Sequence, residues 1–264
     1  MESIIMHGSR MIEEAQKILV FSGAGMSTES GISDFRSPGG VWSKYDPSDF
    51  YFDKIISSEE TRRKYWQMST EFYHAMKDAL PNRAHMAVKR LEEKKKLLAI
   101  VTQNIDNLHQ KAGSINVIEM HGNLFRQRCL ACEAKKPFGR EEYLGSVKTA
   151  IAEITTFDLP SIIEMLPKCD CGSPMRPDVV MFGEAVQGLY ESFQEADDCD
   201  AMLVLGTSGV VYPAAALPQK AKEAGATVIE INPGDSAYFG VADIRLQGKT
   251  GEILPRIVQK IQNA

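Results

Sequence analysis

The sequence predicts an α/β protein built on an open parallel sheet with helices on both faces, and three observations carry that prediction. Four apolar runs, at residues 18–21, 97–101, 201–205 and 227–231, are short and lack alternation. This is the pattern of parallel strands covered on both sides. Helical patterns precede or separate them, as alternating strand and helix require. Each run then stops at a turn: Ser22-Gly23-Ala24-Gly25, Thr102-Gln103-Asn104-Ile105-Asp106, Gly206-Thr207-Ser208 or Asn232-Pro233-Gly234. Open parallel sheets bind ligands at the carboxyl ends of their strands, so four such turns at one end mark a candidate crevice.

Taken in order, the first segment reads as an amphipathic helix with Ile4, Ile5, Met11, Ile12 and Ala15 as its apolar set. It carries acids and no continuous apolar run, so it is not read as a secretory signal. The first strand meets Gly23-Ala24-Gly25, followed by a Ser/Thr-rich stretch able to open a helix. Nucleotide pyrophosphates are held this way, by close backbone approach at glycines and by helix N–H groups. Thr28 stands at the third glycine position, so the GxGxxG fingerprint is incomplete and weak by itself. Residues 37–81 contain Trp42 and Trp66 and read as a mainly helical insertion after the loop Ser37-Pro38-Gly39-Gly40. Helices are also expected at 83–94, with Ala84, Ala87, Val88 and Leu91 on one side, and at 214–224 after Pro213. The run Glu92-Glu93-Lys94-Lys95-Lys96 suits a solvated helix end, with lysines facing the C-terminal dipole.

Four of the five cysteines form two tight pairs, Cys129/Cys132 as C-x-x-C and Cys169/Cys171 as C-x-C, with 36 residues between the pairs. In a reducing compartment such pairs indicate one four-thiolate zinc site. With no open coordination position, that site would be structural. The alternative is a redox C-x-x-C with two unrelated thiols. Cys199 reads as an isolated thiol. A net charge of −5 argues against direct nucleic-acid binding. No apolar run approaches the ~20 residues of a membrane span, and the expected location is cytoplasmic.

Taken together, GAGMSTESGISDFR, TQNIDNLHQKAG, the His121-Gly122 pair, CxxC…CxC, RPDVVMFGE, GTSGVVYPAA and the Ile231-Asn232 pair resemble the sirtuins of bacterial or archaeal type. Sirtuins are NAD-dependent protein-lysine deacylases. The resemblance runs from about Ile18 to the segment GKTGEILP and covers nearly the whole chain. It implies a Rossmann-like NAD-binding domain made of residues 1–36, 82–124 and 176–264. Residues 37–81 would form the cofactor loop and helical insertion, and 125–175 a zinc-ribbon module.

The resemblance also implies roles. NAD would be the co-substrate and zinc the structural metal, held by Cys129, Cys132, Cys169 and Cys171. Gly23, Ala24 and Gly25 would meet the pyrophosphate, and Asp34, Phe35 and Arg36 would lie on a loop closing over it. Gln103, Asn104, Ile105 and Asp106 would border the nicotinamide and its ribose. Gly206, Thr207 and Ser208 would serve phosphate and ribose, with Asn232 near the adenosine ribose. Asn104 and Asp106 would act in breaking the nicotinamide bond, and His121 would be the general base, since a neutral imidazole suits that task near pH 7. An acetylated-lysine peptide would pair as a strand between Val180, Met181, Phe182 and Gly183 on one side and Gly209, Val210, Val211 and Tyr212 on the other. The products would be nicotinamide, lysine and acetyl-ADP-ribose. His7, His74, His85 and His109 read as structural or exposed.

Departures from the family pattern are Ser33 where Pro is common, Asn107 after QNID, Gly209 after GTS, and Pro233-Gly234 after Asn232. Succinyl- and malonyl-removing sirtuins carry a Tyr-x-x-Arg pair in the insertion. Here Tyr65 is followed at that spacing by Met68 and Tyr73 by Met76, which predicts a preference for neutral acyl groups. Two other functions remain open: an NAD-using mono-ADP-ribosyltransferase and a non-enzymatic zinc-ribbon or NAD-sensing module.

Overall fold

A computed structural model describes residues 2–137, 158–235 and 238–261. In chain order the strands are β1 (Ile18–Ser22), β2 (Leu97–Thr102), β3 (Val117–Glu119), β4 (Gly122–Cys129), β5 (Lys135–Pro137), β6 (Met175–Val179), β7 (Ala201–Leu205), β8 (Thr227–Asn232) and β9 (Ile244–Gln247). The helices are α1 (Glu2–Glu14), α2 (Phe52–Ser57), α3 (Glu59–Met76), α4 (Arg83–Glu93), α5 (Leu108–Lys111), α6 (Leu159–Met165), α7 (Leu189–Asp198), α8 (Leu217–Glu223) and α9 (Thr250–Lys260).

The main sheet has six strands in the order β3-β2-β1-β7-β8-β9, all parallel. The non-alternating runs now have a physical account. Ile18 and Val20 point to one face with Ile100, Leu203 and Ile229, under Ile5 and Ile12 of α1, Leu91 of α4 and Ile257 of α9. Leu19 and Phe21 point to the other with Val101, Met202 and Val228, under Ala196 of α7 and Leu217 and Ala221 of α8. Both faces are dry, so both parities must be apolar. Each fully buried Leu, Ile or Phe contributes on the order of 1.5–3 kcal/mol, which makes this sheet the main source of stability.

Two strands of the main sheet escape the sequence reading, and both are edges. β3 has three residues, and β9 alternates buried and exposed positions because only one of its faces is covered. The α1 apolar set divides as well: Ile5 and Ile12 are buried, whereas Ile4 is 43% exposed. No α-helix opens after Gly23-Ala24-Gly25. Two single 3-10 turns follow, Ala24–Met26 and Thr28–Ser30, and Gly31 at φ +84° closes the second. The left-handed conformation favours glycine and stops the helical path. The helix expected after Pro213 begins as a 3-10 turn, Ala214–Ala216, before α8.

α2 and α3 gather an aromatic core from Phe50, Tyr65, Trp66 and Tyr73, with Phe35 and Trp42 packed against it. Beyond the main sheet, β4 pairs antiparallel with both β5 and β6 to make a three-stranded sheet. Of the segment expected to carry the zinc module, residues 138–157 lie outside the described residues. Among the described residues no helix is long and apolar enough to cross a membrane.

Candidate active site

The chain lays down β1, β2 and β3 to one side and returns with β7 on the other flank of β1. That reversal creates a crevice between the loops after β1 and β7. The two loops interlock. Gly23 N donates to Leu205 O (3.0 Å) and Gly25 N to Gly206 O (2.8 Å). A Cβ on Gly25 would come within 2.8 Å of Gly206 O, and one on Gly23 within 2.9 Å of Thr207 Cβ. These glycines therefore serve the approach of one loop to another, and their N–H groups are engaged there. The Ala24 N–H takes part in neither bond. At the crevice mouth Arg36 Nη1 lies 3.4 Å from Ser208 Oγ. A backbone N–H, a guanidinium and a hydroxyl suit the pyrophosphate of a dinucleotide.

Asp34 lies near enough to Arg36 to favour its charge, but its hydrogen bonds serve the loop. Its carboxylate accepts from Arg36 N (3.0 Å), Ser37 N (2.8 Å) and Ser37 Oγ (2.6 Å), folding the loop on itself. Phe35 stacks near Trp42, with ring centroids 5.1 Å apart, and anchors that loop in the aromatic core. Thr207 is a junction: its Oγ1 accepts from Gln103 Nε2 (2.8 Å), and its carbonyl accepts from Asn232 Nδ2 (2.9 Å). The ends of β2, β7 and β8 are thereby tied together.

After β2 comes a buried polar network. Asn104 Nδ2 donates to Gly23 O and Ser27 Oγ (both 3.1 Å), and Ser27 Oγ donates to Asp106 Oδ2 (2.6 Å). Leu108 N donates to the other oxygen, Asp106 Oδ1 (2.9 Å). Asp106 is 3% exposed, and burial raises its carboxyl pKa above the ordinary range despite the bonds from Ser27 and Leu108. Ile105 packs at the edge of the aromatic core, and its carbonyl accepts from Leu124 N (2.9 Å).

His121 follows β3 and is half-buried. Its Nδ1 lies 3.0 Å from Gln103 O. A carbonyl only accepts, so Nδ1 carries the proton and Nε2 is left with a lone pair. Burial lowers the pKa of His121, partly opposed by that same bond, so the ring is a neutral base near pH 7. The loop bond joins the imidazole to the residue immediately before Asn104.

The segment expected to receive a peptide is partly engaged within the protein. Val180 N donates to His121 O (2.9 Å), Met181 N to a Glu184 carboxylate oxygen (2.9 Å), and Phe182 O accepts from Phe52 N (2.9 Å) beside the Tyr51–Phe182 bridge. Gly183 turns at φ +84°. Across the crevice, Gly209 takes φ +64°, Val211 O accepts from Ala215 N (2.9 Å), and the side chains of Val210 and Tyr212 are 54% and 73% exposed.

The four cysteines converge at the far end of β4. All four Sγ atoms lie within 4.8 Å of one another, with Cys129–Cys171 at 3.5 Å and Cys132–Cys169 at 3.7 Å. Tetrahedral zinc with Zn–S of ~2.3 Å needs edges of roughly 3.8 Å, so the donor set fits one zinc ion. Ala131 N and Cys132 N both lie 3.4 Å from Cys129 Sγ, and these N–H groups bring its pKa down to about 6. β4 has eight residues, so the cluster sits roughly 20 Å along the strand from Gly122 at ~3.3 Å per residue. The candidate zinc site is therefore remote from the crevice.

Three polar residues of the site escaped the sequence reading. Ser27 bridges Asn104 and Asp106. Ser22 Oγ donates to Thr102 Oγ1 (2.9 Å), which also accepts from Asn104 N (3.1 Å). The available signal was a hydroxyl ending each of two otherwise apolar strands. His85 and His109, read as structural or exposed, are both buried, and His109 Nε2 lies 3.0 Å from Ser22 Oγ.

Comparison with known proteins agrees with this geometry. A family model described as "Sir2 family" matches residues 23–213. An "NAD-dependent protein deacylase" of Desulfosudis oleivorans is 45% identical, covering 99% of this chain and 97% of that protein. One of the same name from Pyrococcus abyssi is 40% identical, covering 98% of both. A solved Sir2 structure with a deacetylated peptide and 3′-O-acetyl-ADP-ribose superposes with a TM-score of 0.82 at 33% identity, covering 97% of this chain and 98% of that one. Motifs on the strand ends, the cysteine cluster and these full-length matches have one meaning: the chain belongs to the Sir2 family, the sirtuins.

Proposed function

We propose that this protein is an NAD-dependent protein-lysine deacetylase, moving the acetyl group of an acetylated lysine onto ADP-ribose and releasing nicotinamide. The carrying observation is His121, whose Nδ1 is fixed on Gln103 O so that Nε2 is free to take a proton. NAD supplies the ribose electrophile. Asn104 and Asp106, locked through Ser27, orient it at the nicotinamide end; Ala24, Arg36 and Ser208 take the phosphates, and Asn232 the adenosine ribose. The partner is an acetylated protein presenting lysine in an extended strand. None of the five cysteines forms a disulfide, which suits a reducing compartment, and we place the activity in the cytoplasm, without direct nucleic-acid binding.

Mass spectrometry of an acetyl-lysine peptide incubated with NAD tests the reading. Loss of acetyl with formation of acetyl-ADP-ribose is expected, whereas ADP-ribose left on protein with acetyl groups intact would indicate an ADP-ribosyltransferase. Asn104→Ala or Asp106→Ala is expected to slow nicotinamide–NAD exchange by about 10²-fold, the cost of misplacing reacting groups. Undiminished exchange in both variants would assign the network another role.

The insertion bears on acyl choice. Arg62, near Tyr65, donates from Nη1 to Ile55 O (3.1 Å) and Ile56 O (2.6 Å), and Arg63 pairs with Glu59 at 2.7 Å. Both cations are engaged at the α2–α3 junction. Met68 and Met76 are buried in the aromatic core. Burying an unpartnered neutral polar group costs about 1–3 kcal/mol, and an ionised carboxylate costs more. A kcat/KM for acetyl-lysine roughly 10–100-fold above that for succinyl-lysine is therefore expected on one peptide. Equal or reversed rates would show that a cation reaches the acyl pocket.

A further inference from the structure

The segment that carries His121 is gripped by a buried ion cluster outside the crevice. Glu119, two residues before His121, is 8% exposed, and Asp178 on β6 is fully buried. Arg126 joins them: Nη2 lies 2.6 Å from Glu119 Oε2 and 3.0 Å from Asp178 Oδ2, while Nε lies 3.2 Å from the same Asp178 oxygen. Gln187 completes the arrangement. Its Nε2 donates to Asp178 Oδ1 (2.7 Å) and its backbone N to Met120 O (2.9 Å). His121 O accepts from Val180 N (2.9 Å). Gly122, at φ +81°, passes so near β6 that a Cβ would lie 2.0 Å from Asp178 O. The residues on both sides of His121 are thus tied to β6. Lys135 Nζ (3.7 Å) and Arg128 Nε (3.9 Å) also approach Asp178, and Gln110 and Asn123 donate to Glu119, but among the described residues Arg126 is the cation that bridges both carboxylates.

Two carboxylates held this close need a cation between them, because an unpaired buried charge is strongly disfavoured. Paired, they fix a geometry. We propose that Arg126, bridging Glu119 and Asp178, is a positioning residue that sets the placement of His121 against the second sheet. The inference rests on the reading of His121 as the base. A base must sit within hydrogen-bond reach of its proton, and small displacements are costly. Arg126 touches no substrate in this scheme, and it acts through the backbone at residues 119–122.

The test compares the two halves of the reaction. In R126Q the deacetylation kcat is expected to fall about 10-fold, a misplacement effect. Nicotinamide–NAD exchange and the KM for peptide should stay near wild type, because the Asn104–Ser27–Asp106 network is untouched. R126K keeps a cation between the carboxylates but loses the two-nitrogen grip on Asp178, so it is expected to recover only part of the deacetylation lost in R126Q. D178N, which faces Arg126 with an amide in place of a charge, should show the same split as R126Q and decides the matter if R126Q does not fold. Unchanged deacetylation in both R126Q and D178N, a parallel fall of exchange and deacetylation, or an R126K enzyme no better than R126Q would overturn the proposal. Wild-type protein inert in both assays would instead remove the functional reading itself.

Discussion

Alanine in place of His121 is expected to lower deacetylation by about 10²–10⁴-fold, the usual contribution of a positioned general base, with NAD affinity and nicotinamide exchange close to wild type. The separation follows from where the ring is held. The ring hydrogen-bonds Gln103 O and no side chain of the Asn104–Ser27–Asp106 network, so removing it leaves that network and the phosphate end in place. Burial lowers the pKa below the ordinary 6.5. A base works deprotonated, so wild-type kcat/KM should hold steady near neutrality and fall only as pH drops through that lowered value. Steady-state kinetics beside exchange assays on both proteins provide the check. Undiminished turnover in the variant would take His121 out of the chemistry.

Removing the metal is expected to have the next largest effect, this time on structure. Zinc held by four thiolates contributes apparent binding energy of about 10–16 kcal/mol in small metal modules. The sheet it closes has little apolar core of its own: Cys129, Cys169 and Met175 form its buried cluster, with Ala134 packed against them. Cys129→Ser or a strong chelator should therefore release the ion and open the β4–β5–β6 sheet while the main sheet persists. Because β4 begins at Gly122, next to His121, deacetylation should be lost as well. Metal analysis, hydrogen exchange and activity on the same sample test this. A protein with native protection and full activity but no zinc would refute it.

The main sheet was legible in the sequence because it is buried on both sides. Runs such as Leu19-Val20-Phe21 have no polar parity, and few other structures need that. The edges β3 and β9 were not legible, since three residues or a half-covered strand leave little pattern. In the site, the residues in turns after strands were visible because their glycines, amides and carboxylate break apolar runs. What was hidden was the partnership among them. Ser27 reads as one hydroxyl in a Ser/Thr-rich stretch, and only the folded chain brings it between Asn104 and Asp106. The reading of Gly23 and Gly25 also changed meaning: they allow one loop to approach another, a demand that no local pattern reveals. The ion cluster on Arg126 was invisible for the same reason, since Glu119 and Asp178 lie 59 positions apart.

The strand order has a consequence for how the protein is made. β1 leaves the ribosome before both of its neighbours, β2, where Ile18 faces Leu97, and β7, where Ile18 faces Ala201. Gly25 waits for Gly206, and Glu29 caps α9 by accepting from Gly251 N (2.7 Å). At ~5–20 residues per second, roughly ten seconds or more separate the synthesis of the first glycine loop from that of its last brace. Until β7 is made, the β1 edge that will pair with it stands open beside Leu19, Val20 and Phe21, the kind of surface that chaperones shield. A nascent chain stopped before residue 206 carries His121 but lacks the loop that packs on Gly23 and Gly25, so the crevice is completed only after β7 is made.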